Sequence, residues 1–415
     1  MTNEDMASIC IVDLLRACCC FFAFNGHVHV FMSDYKAPLM EEDPDWDPWQ
    51  PLRILSVVAM INAVNVFFLL SGYFTALGNN PTVPLATSIA RRWRRLIPFV
   101  AVPLAWQLLR NKHLYTDEGL PDAVPIVAWL SLCGNLLPHR FQTRWLLGSG
   151  LMQLWSVMVD FQCTGALLLY MRRFRCMRSL LGGALLCYSL RIAIATSHEY
   201  TRTFEMGHMG HFHALSAKFT DAPYWFPDPA PKRAEHMSMW NAHMYMGTPG
   251  RATPFFVGAA LAHATRQQDD GQFVATRWRY AIGAMVALAL AVGTVASTLE
   301  PSVSESVVVS FMQELIGPLL VAGALFRYRK AEWRLANSAA TAHVAKVSGW
   351  IYALHWSMLV EATRAFPAQH DAVQNTALSC ATFPVVVAVS TCVHAIERAL
   401  LAPPRRLLNH HKKGE

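Results

Sequence analysis

Apolar runs of about the length that crosses a bilayer recur along the whole chain, and they restrict its fold more than any other feature. The runs are bounded by charges or by Pro and Gly and lie near 9–31, 52–76, 96–110, 146–171, 180–196, 252–265, 280–299, 303–326, 347–363 and 374–397. Only 15% of the 415 residues are charged, whereas soluble domains average about 25%. We therefore predict an all-α fold, a polytopic membrane helix bundle of about ten transmembrane helices. A shorter run at 123–137 predicts a partial or interfacial helix.

Basic residues indicate which side of the membrane each loop occupies. With the N-terminus in the cytoplasm, the inner loops and the tail hold most of the 35 Lys and Arg residues, as the positive-inside rule requires. Both termini are then cytoplasmic. The predicted organisation is a short N-terminus at 1–8, a transmembrane domain at 9–400 with a long outer loop at 197–245, and a basic cytoplasmic tail at 401–415. Topology accounts for the net charge of +7, so no nucleic-acid partner is expected.

The cysteines and histidines do not predict a metal site. The ten cysteines fall almost entirely within apolar runs, which argues against a disulfide framework or a zinc site. The outer loop holds His208, His211 and His213, whose spacing matches no standard zinc site. Two interpretations of this loop stay open, a metal site and a solvated loop that shapes an acceptor site. We expect the second, because functional surfaces are commonly built from loops.

The first apolar run contains two ionisable groups, Arg16 and His27, that share one helix face. They are eleven residues apart, about three turns, and so are separated by about 16 Å along the axis. A cation near the cytoplasmic end and a base deeper in the membrane are typical of a channel that serves general-base chemistry. The alternative is an Arg that snorkels to the interface and a His satisfied within the core.

The second run and the segment after it carry further polar groups. Asn62 and Asn65 share a helix face, where they either contact a substrate or hold two helices together. Four arginines then surround Trp93, namely Arg91, Arg92, Arg94 and Arg95. Guanidinium groups bind phosphates in a bidentate manner, and an adenine can stack nearby. The alternative is a topology signal that contacts anionic lipid headgroups.

Three more ionisable residues lie near the middle of predicted spans: Asp160, Glu314 and His355. Ionisable groups at this depth are costly and by default indicate function. Each has a structural alternative, which is to pair with an intramembrane partner such as Arg191. Their number argues against a purely structural role for all of them.

The chain resembles the membrane acyltransferase-3 family, and within it the nose-resistant-to-fluoxetine-like branch. The similar segments are Asp13 to Arg16 running on to His27, FFLLSGYF at 67–74, RWRRLIP at 92–98, W-x-x-x-x-D-x-Q at 155–162, YMGTPGRATPFFVG at 245–258, VSGWIYALH at 347–355 and the acid Glu397. They occur in family order over nearly the whole chain. Leu96, where the family usually has Ile, and the overlapping register of Arg91 and Arg94 are small departures.

The resemblance implies transfer of an acyl group, usually acetyl, from cytoplasmic acyl-coenzyme A to a hydroxyl acceptor at the outer or luminal side. It implies that Arg92 and Arg95 hold the nucleotide phosphates, with Arg16 along the pantetheine arm. His27 would be the general base, Asp160 would orient it, and His355 would serve as a second base or oxyanion donor. The implied substrate-binding set is Asn62, Asn65, Ser71, Trp155, Gln162 and Glu314. Acyl-CoA is the only co-substrate expected, and no metal is expected.

Two other functions stay open, namely a carrier of lipids or small molecules without acyl transfer and an inactive family member that acts as a scaffold. A carrier has no need of a phosphate clamp with a base aligned above it, which favours the enzyme. The acceptor, whether a hydroxylated lipid, a glycan or a small molecule, is not determined by the sequence. Lys412 and Lys413 resemble a dilysine retrieval motif and predict an endoplasmic reticulum membrane.

Overall fold

The computed structural model describes residues 3–32, 50–110, 123–136, 151–174, 176–195, 251–266, 317–328, 338–365 and 372–401. The regular elements in these ranges are all helical, in agreement with the predicted all-α class. They are α1 (Asn3–Met32), α2 (Gln50–Gly78), α3 (Leu85–Arg110), α4 (Ala123–Leu130), α5 (Trp155–Arg173), α6 (Met177–Ala195), α7 (Thr253–Arg266), α8 (Gly317–Tyr328), α9 (Ala339–Ala365) and α10 (Ala372–Leu401). Short 3₁₀ turns span Gly134–Leu136 and Met152–Leu154.

The apolar runs mark most of these helices, and the largest difference is at α3. This helix begins at Leu85, ahead of the predicted run, because Arg has a high helix propensity and the arginine cluster continues the helix beyond its apolar part. The run at 123–137 forms α4 and then a turn in which Leu132 has a φ of 60°. The predicted span at 280–299, most of the one at 303–326 and the outer loop lie outside the described residues.

Within the described helices, two stretches are long and apolar enough to cross a membrane, Ile11–Val28 in α1 and Gln374–Ala399 in α10. The apolar part of α2, Asn62–Gly78, is shorter. Other helices carry polar groups that line an internal cavity, such as Arg92 and Arg95 of α3. A helix that contributes to a polar interior needs fewer apolar residues than one that faces lipid on most sides.

Helix α2 packs against α1 on one side and α7 on the other, and α1 also packs against α9. Two glycines allow α2 and α7 to approach with their backbones in contact. A Cβ atom at Gly72 would lie 2.1 Å from the carbonyl oxygen of Phe255, and one at Gly258 would lie 1.9 Å from that of Leu69. Only glycine fits at either position, and the close approach fixes how α2 presents its polar side chains to the rest of the bundle.

Basic side chains from two helices hold the turn between α2 and α3. Arg266, at the end of α7, donates to the carbonyl oxygen of Leu77. Arg172, at the end of α5, donates to that of Val83. Arg266 thereby satisfies a carbonyl in the last turn of α2, where a cation interacts favourably with the helix dipole, and Arg172 satisfies a carbonyl of the turn itself. Several predicted inner-loop cations therefore gather at one end of the bundle.

Candidate active site

A cavity of about 800 Å³ lies between α1, α2, α3, α5 and α9. Four cationic side chains line it, Arg16, Arg92, Arg95 and Lys346. Asp160 is the one carboxylate among the lining residues that the structure describes. The remaining wall is largely apolar and aromatic. A cavity with a net positive charge and apolar walls suits a ligand that has an anionic head and a less polar arm.

Asp160 forms an ion pair with Arg92, and both side chains are mostly buried, at 14% and 13% exposure. The same guanidinium nitrogen donates to the hydroxyl of Ser71, at 2.6 Å. Asp160 makes no contact with His27 within the described part of the chain. The expected support of His27 by this carboxylate is therefore replaced by support of an arginine. The physical reason is that a carboxylate in a low-dielectric site pairs with the nearest cation.

The structure selects one register of the arginine cluster. Arg92 and Arg95 are three residues apart on α3, so both face the cavity. Arg91 and Arg94 are exposed to solvent and do not line it. Trp93 donates its indole N–H to the carbonyl oxygen of Leu130, at 3.1 Å, so this ring ties α4 to the helix that carries the arginines.

Arg16 and Lys346 complete the basic part of the cavity. The Arg16 guanidinium lies over the ring of Phe74, 4.7 Å from its centroid, and 3.9 Å from a carboxylate oxygen of Asp13. The sequence marks Lys346 as one of the inner-loop cations and does not predict its place in the cavity. Its position, directly before the segment at 347–355, is the one signal that pointed to the site.

His27 and His355 form a buried pair, although they are 328 residues apart in the sequence. Nδ1 of His27 and Nε2 of His355 are 2.8 Å apart. The ring planes are inclined by 25° with centroids 4.9 Å apart, so the rings lie edge to edge and nearly coplanar. This is the geometry of a hydrogen bond in the ring plane. The exposed fractions are 8% for His27 and 1% for His355.

The surrounding hydrogen bonds assign the protons of this pair. Nδ1 of His355 lies 2.8 Å from the carbonyl oxygen of Tyr352. Because a carbonyl oxygen only accepts, this nitrogen carries the proton, and in a neutral ring Nε2 then has the lone pair. Nδ1 of His27 must therefore donate to His355. With both rings neutral, this arrangement leaves the lone pair on Nε2 of His27, which is the form that a general base requires.

Aromatic side chains enclose the histidine pair. The indole of Trp356 meets His27 edge-on at 4.6 Å between ring centroids, and Phe24 meets His355 at 6.4 Å. Neither histidine lines the cavity. Tyr352 does line it, and its ring is 5.5 Å from that of His355. The cavity and the histidine pair are thus adjacent but separate.

Asn65 and Trp155 belong to a cluster centred on Arg251. Arg251 lies in the segment at 245–258, which resembles the family, but the sequence predicts no individual role for it. Arg251 is 1% exposed. It donates to Oδ1 of Asn65 at 3.1 Å, and its guanidinium carbon is 5.5 Å from the ring centroid of Trp155. Asn62 is half-buried one turn away on α2. The structure therefore brings Asn65 and Trp155 together around an arginine.

Gln162 holds the turn that follows α4. Its amide nitrogen donates to the carbonyl oxygen of Leu132 at 2.9 Å and to Oδ1 of Asn135 at 2.8 Å. Leu132 is the residue with a positive φ, a conformation that needs support from its surroundings. Ser71, by contrast, lies in the cavity wall. Glu314 lies outside the described residues.

A sequence model of the acyltransferase-3 family, described as an acyltransferase domain, matches residues 11–395 of the chain. Comparison with curated proteins and with solved structures finds no match. The matched range includes every described residue of the cavity and of the histidine pair.

Proposed function

Because the chain belongs to the acyltransferase-3 family, we propose that it is an integral membrane O-acyltransferase that uses acyl-CoA, with acetyl-CoA as its principal donor. The observation that carries this proposal is the basic cavity next to the buried pair of His27 and His355. The family match and the apolar helices support an acyltransferase in a membrane. The acceptor is a hydroxyl of a lipid, a glycan or a small molecule at the luminal or outer side.

Donor binding follows from the charges of the cavity. Coenzyme A carries a pyrophosphate and a further phosphate on its ribose, and guanidinium groups bind phosphates through charge-assisted hydrogen bonds. We assign this binding to Arg92 and Arg95, with Lys346 as an additional cation. Arg16, on α1, would lie along the pantetheine arm. The ion pair with Asp160 holds Arg92 in the wall before the phosphates arrive.

His27 is the proposed general base. The acceptor oxygen attacks the carbonyl carbon of the thioester, a carbon–oxygen bond forms and the carbon–sulfur bond breaks. The hydroxyl proton moves to Nε2 of His27 and then to the leaving thiolate, which departs as the free thiol of coenzyme A. The products are an ester and coenzyme A. General-base assistance of this kind contributes about 10²–10⁴-fold in rate.

His355 acts through His27 and is a positioning residue in this scheme. Its Nδ1 proton is fixed by the carbonyl oxygen of Tyr352, so its Nε2 accepts the Nδ1 proton of His27. In this proposal His355 thereby performs the role toward His27 that the resemblance implies for Asp160. A neutral imidazole suits a buried site, because a buried carboxylate there would need its own partners.

The membrane arrangement is part of the proposal. We propose about ten spans with both termini cytoplasmic, a transmembrane domain at 9–400 and membership of the nose-resistant-to-fluoxetine-like branch. The W-x-x-x-x-D-x-Q segment at 155–162 supports the branch. The basic groups near the α2–α3 turn support a cytoplasmic position for that end of the bundle. Lys412 and Lys413, outside the described residues, support the endoplasmic reticulum.

The test uses the full-length protein in its membranes and, in parallel, purified in detergent. We expect coenzyme A to raise its melting temperature, because a ligand that binds only the folded state stabilises it. We also expect labelled acetyl from acetyl-CoA to enter an acceptor in those membranes. His27→Ala should keep the stabilisation and lose about 10²–10⁴-fold in transfer.

His343→Ala is the matched control for that variant. His343 lies near the start of α9, contacts Thr391 at 2.9 Å and is not among the residues that line the cavity. Transfer should stay near the wild-type rate. A carrier without chemistry predicts no stabilisation by coenzyme A and no acetyl incorporation. Normal transfer by His27→Ala, with coenzyme A still bound, would overturn the assignment of the base.

A further inference from the structure

Two aromatic rings, Phe67 of α2 and Tyr352 of α9, meet at the cavity wall. Their centroids are 5.7 Å apart with planes inclined by 68°, and both residues line the cavity. We propose that this pair determines the length of the acyl group that can reach His27. The inference rests on the proposed function, since it concerns the acyl chain of the same donor.

The order of residues along α9 places the ring pair between the basic groups and the histidines. Lys346, Gly349 and Tyr352 line the cavity, and His355 follows behind Tyr352. Each step of three residues advances about 4.5 Å along the helix axis. A donor held by its phosphates near Lys346 therefore extends its thioester toward Tyr352. The acyl group must pass Tyr352 to approach His27.

The space behind the pair is filled by protein. Phe24 is 1% exposed and Trp356 is 2% exposed, and both pack on the histidines. Protein interiors are packed as densely as organic crystals, so each added methylene has to displace a neighbour. A pocket of this kind discriminates by about tenfold or more for one methylene. Short acyl groups fit beside the two rings, and longer ones do not.

The effect on acyl length is separable from the effect on the base. The hydrogen bond from His355 goes to the backbone carbonyl of Tyr352, so replacing the Tyr352 side chain leaves that acceptor in place. Phe67 is not among the ring contacts of either histidine. Substitution of Phe67 therefore widens the wall while the proton arrangement of the pair is retained.

The experiment measures binding of coenzyme A, acetyl-CoA, butanoyl-CoA and hexanoyl-CoA to the full-length protein. The wild type should bind hexanoyl-CoA at least about tenfold more weakly than acetyl-CoA. Phe67→Ala should remove most of this difference by binding the longer donors more tightly. Phe67→Leu, which keeps more bulk, should fall between them and serves if the alanine variant does not fold. Tyr352→Ala should change the preference in the same direction.

Phe99→Ala is the matched control. Phe99 also lines the cavity, but it packs on Gly349 and Trp350, one turn nearer to the basic groups. Phe99→Ala should leave the ratio of the Kd for hexanoyl-CoA to the Kd for acetyl-CoA unchanged. Equal binding of all donors by the wild type, or an unchanged ratio in both Phe67 variants, would overturn this inference alone. Failure to bind any coenzyme A derivative would overturn the proposed function and the inference with it.

Discussion

The basic cavity and the histidine pair are adjacent, but they differ in how their polar groups are stabilised. The cavity keeps charged side chains, because its opening admits water and Asp160 offsets part of the charge. The histidine pair is closed to solvent and holds two rings that satisfy each other and a backbone carbonyl. A charged side chain is stable only where water or a counter-ion solvates it. The first region is suited to recognition of an anion, and the second to transfer of a proton.

This division means that substitutions in the two regions should change different measured quantities. Changes in the cavity should alter the affinity for coenzyme A, its salt dependence and the stability of the free protein. Changes at the histidines should alter the rate of transfer at saturating donor. The variant that should have the largest effect, His27→Ala, tests the second region.

Arg95→Ala tests the first region and should have the next largest effect. Loss of a hydrogen bond to a charged group costs about 1.5–3 kcal/mol, so the Kd for coenzyme A should rise about tenfold or more. Arg94→Ala removes the same charge from the adjacent position, which does not line the cavity, and should change Kd by less than about twofold. Titration calorimetry at two salt concentrations measures both. Equal effects of the two variants would show that the cluster acts as a diffuse charge.

Asp160→Asn tests whether the cavity carboxylate stabilises the free protein. It leaves the mostly buried Arg92 without its ionic partner, and the expected loss is about 1–3 kcal/mol of unfolding free energy. Asp13→Asn removes the partner of Arg16, a carboxylate that is more exposed than Asp160, at 22%, and lies 3.9 Å from the guanidinium. This change should cost less than about 1 kcal/mol of unfolding free energy. The measurement is the melting temperature of each variant in the same detergent, and Asp160→Asn should lower it more than Asp13→Asn. Equal shifts would contradict the structural role of the Arg92 pair.

His355→Gln should have the smallest effect, and it separates positioning from a direct chemical role. The glutamine carbonyl can accept the Nδ1 proton of His27, so kcat should stay within a few-fold of the wild type. His355→Ala removes the acceptor and should lower kcat by about tenfold, equivalent to about 1.4 kcal/mol. The KM for acetyl-CoA should not change in either variant. If His355→Gln is as impaired as His355→Ala, then His355 itself exchanges protons with substrate.

The sequence identified many of the residues that form these regions but not how they pair. The shared helix face of Arg16 and His27 follows from helical periodicity, whereas the choice of Arg92 and Arg95 among the four arginines is implied by the family resemblance. Periodicity describes one helix at a time. It contains no information about which neighbour each face meets. The role of Asp160 beside His27 is implied by the resemblance, which does not anticipate the ion pair of Asp160 with Arg92.

Residues without an unusual local pattern were missed for a related reason. No local sequence pattern distinguishes Lys346 from an ordinary loop cation. Its place in the cavity depends on where α9 passes the cavity. Gln162 remains predicted to contact substrate, and the sequence does not reveal that its amide also supports Leu132, whose positive φ has no signal in the sequence. Arg251 lies in a segment that resembles the family, but its contact with Asn65 joins residues 186 positions apart, which no local pattern predicts.

The sequence by itself determined the helical class and the apolar stretches, because these depend on local hydropathy. The tertiary structure decided that His27 meets His355, that Asp160 meets Arg92 and that Tyr352 lines the cavity beside the imidazole of His355. These contacts depend on how closely the helices approach, as at Gly72 and Gly258, where the absence of a side chain lets two backbones touch. Such distances are a property of packed helix pairs and cannot be obtained from either helix alone.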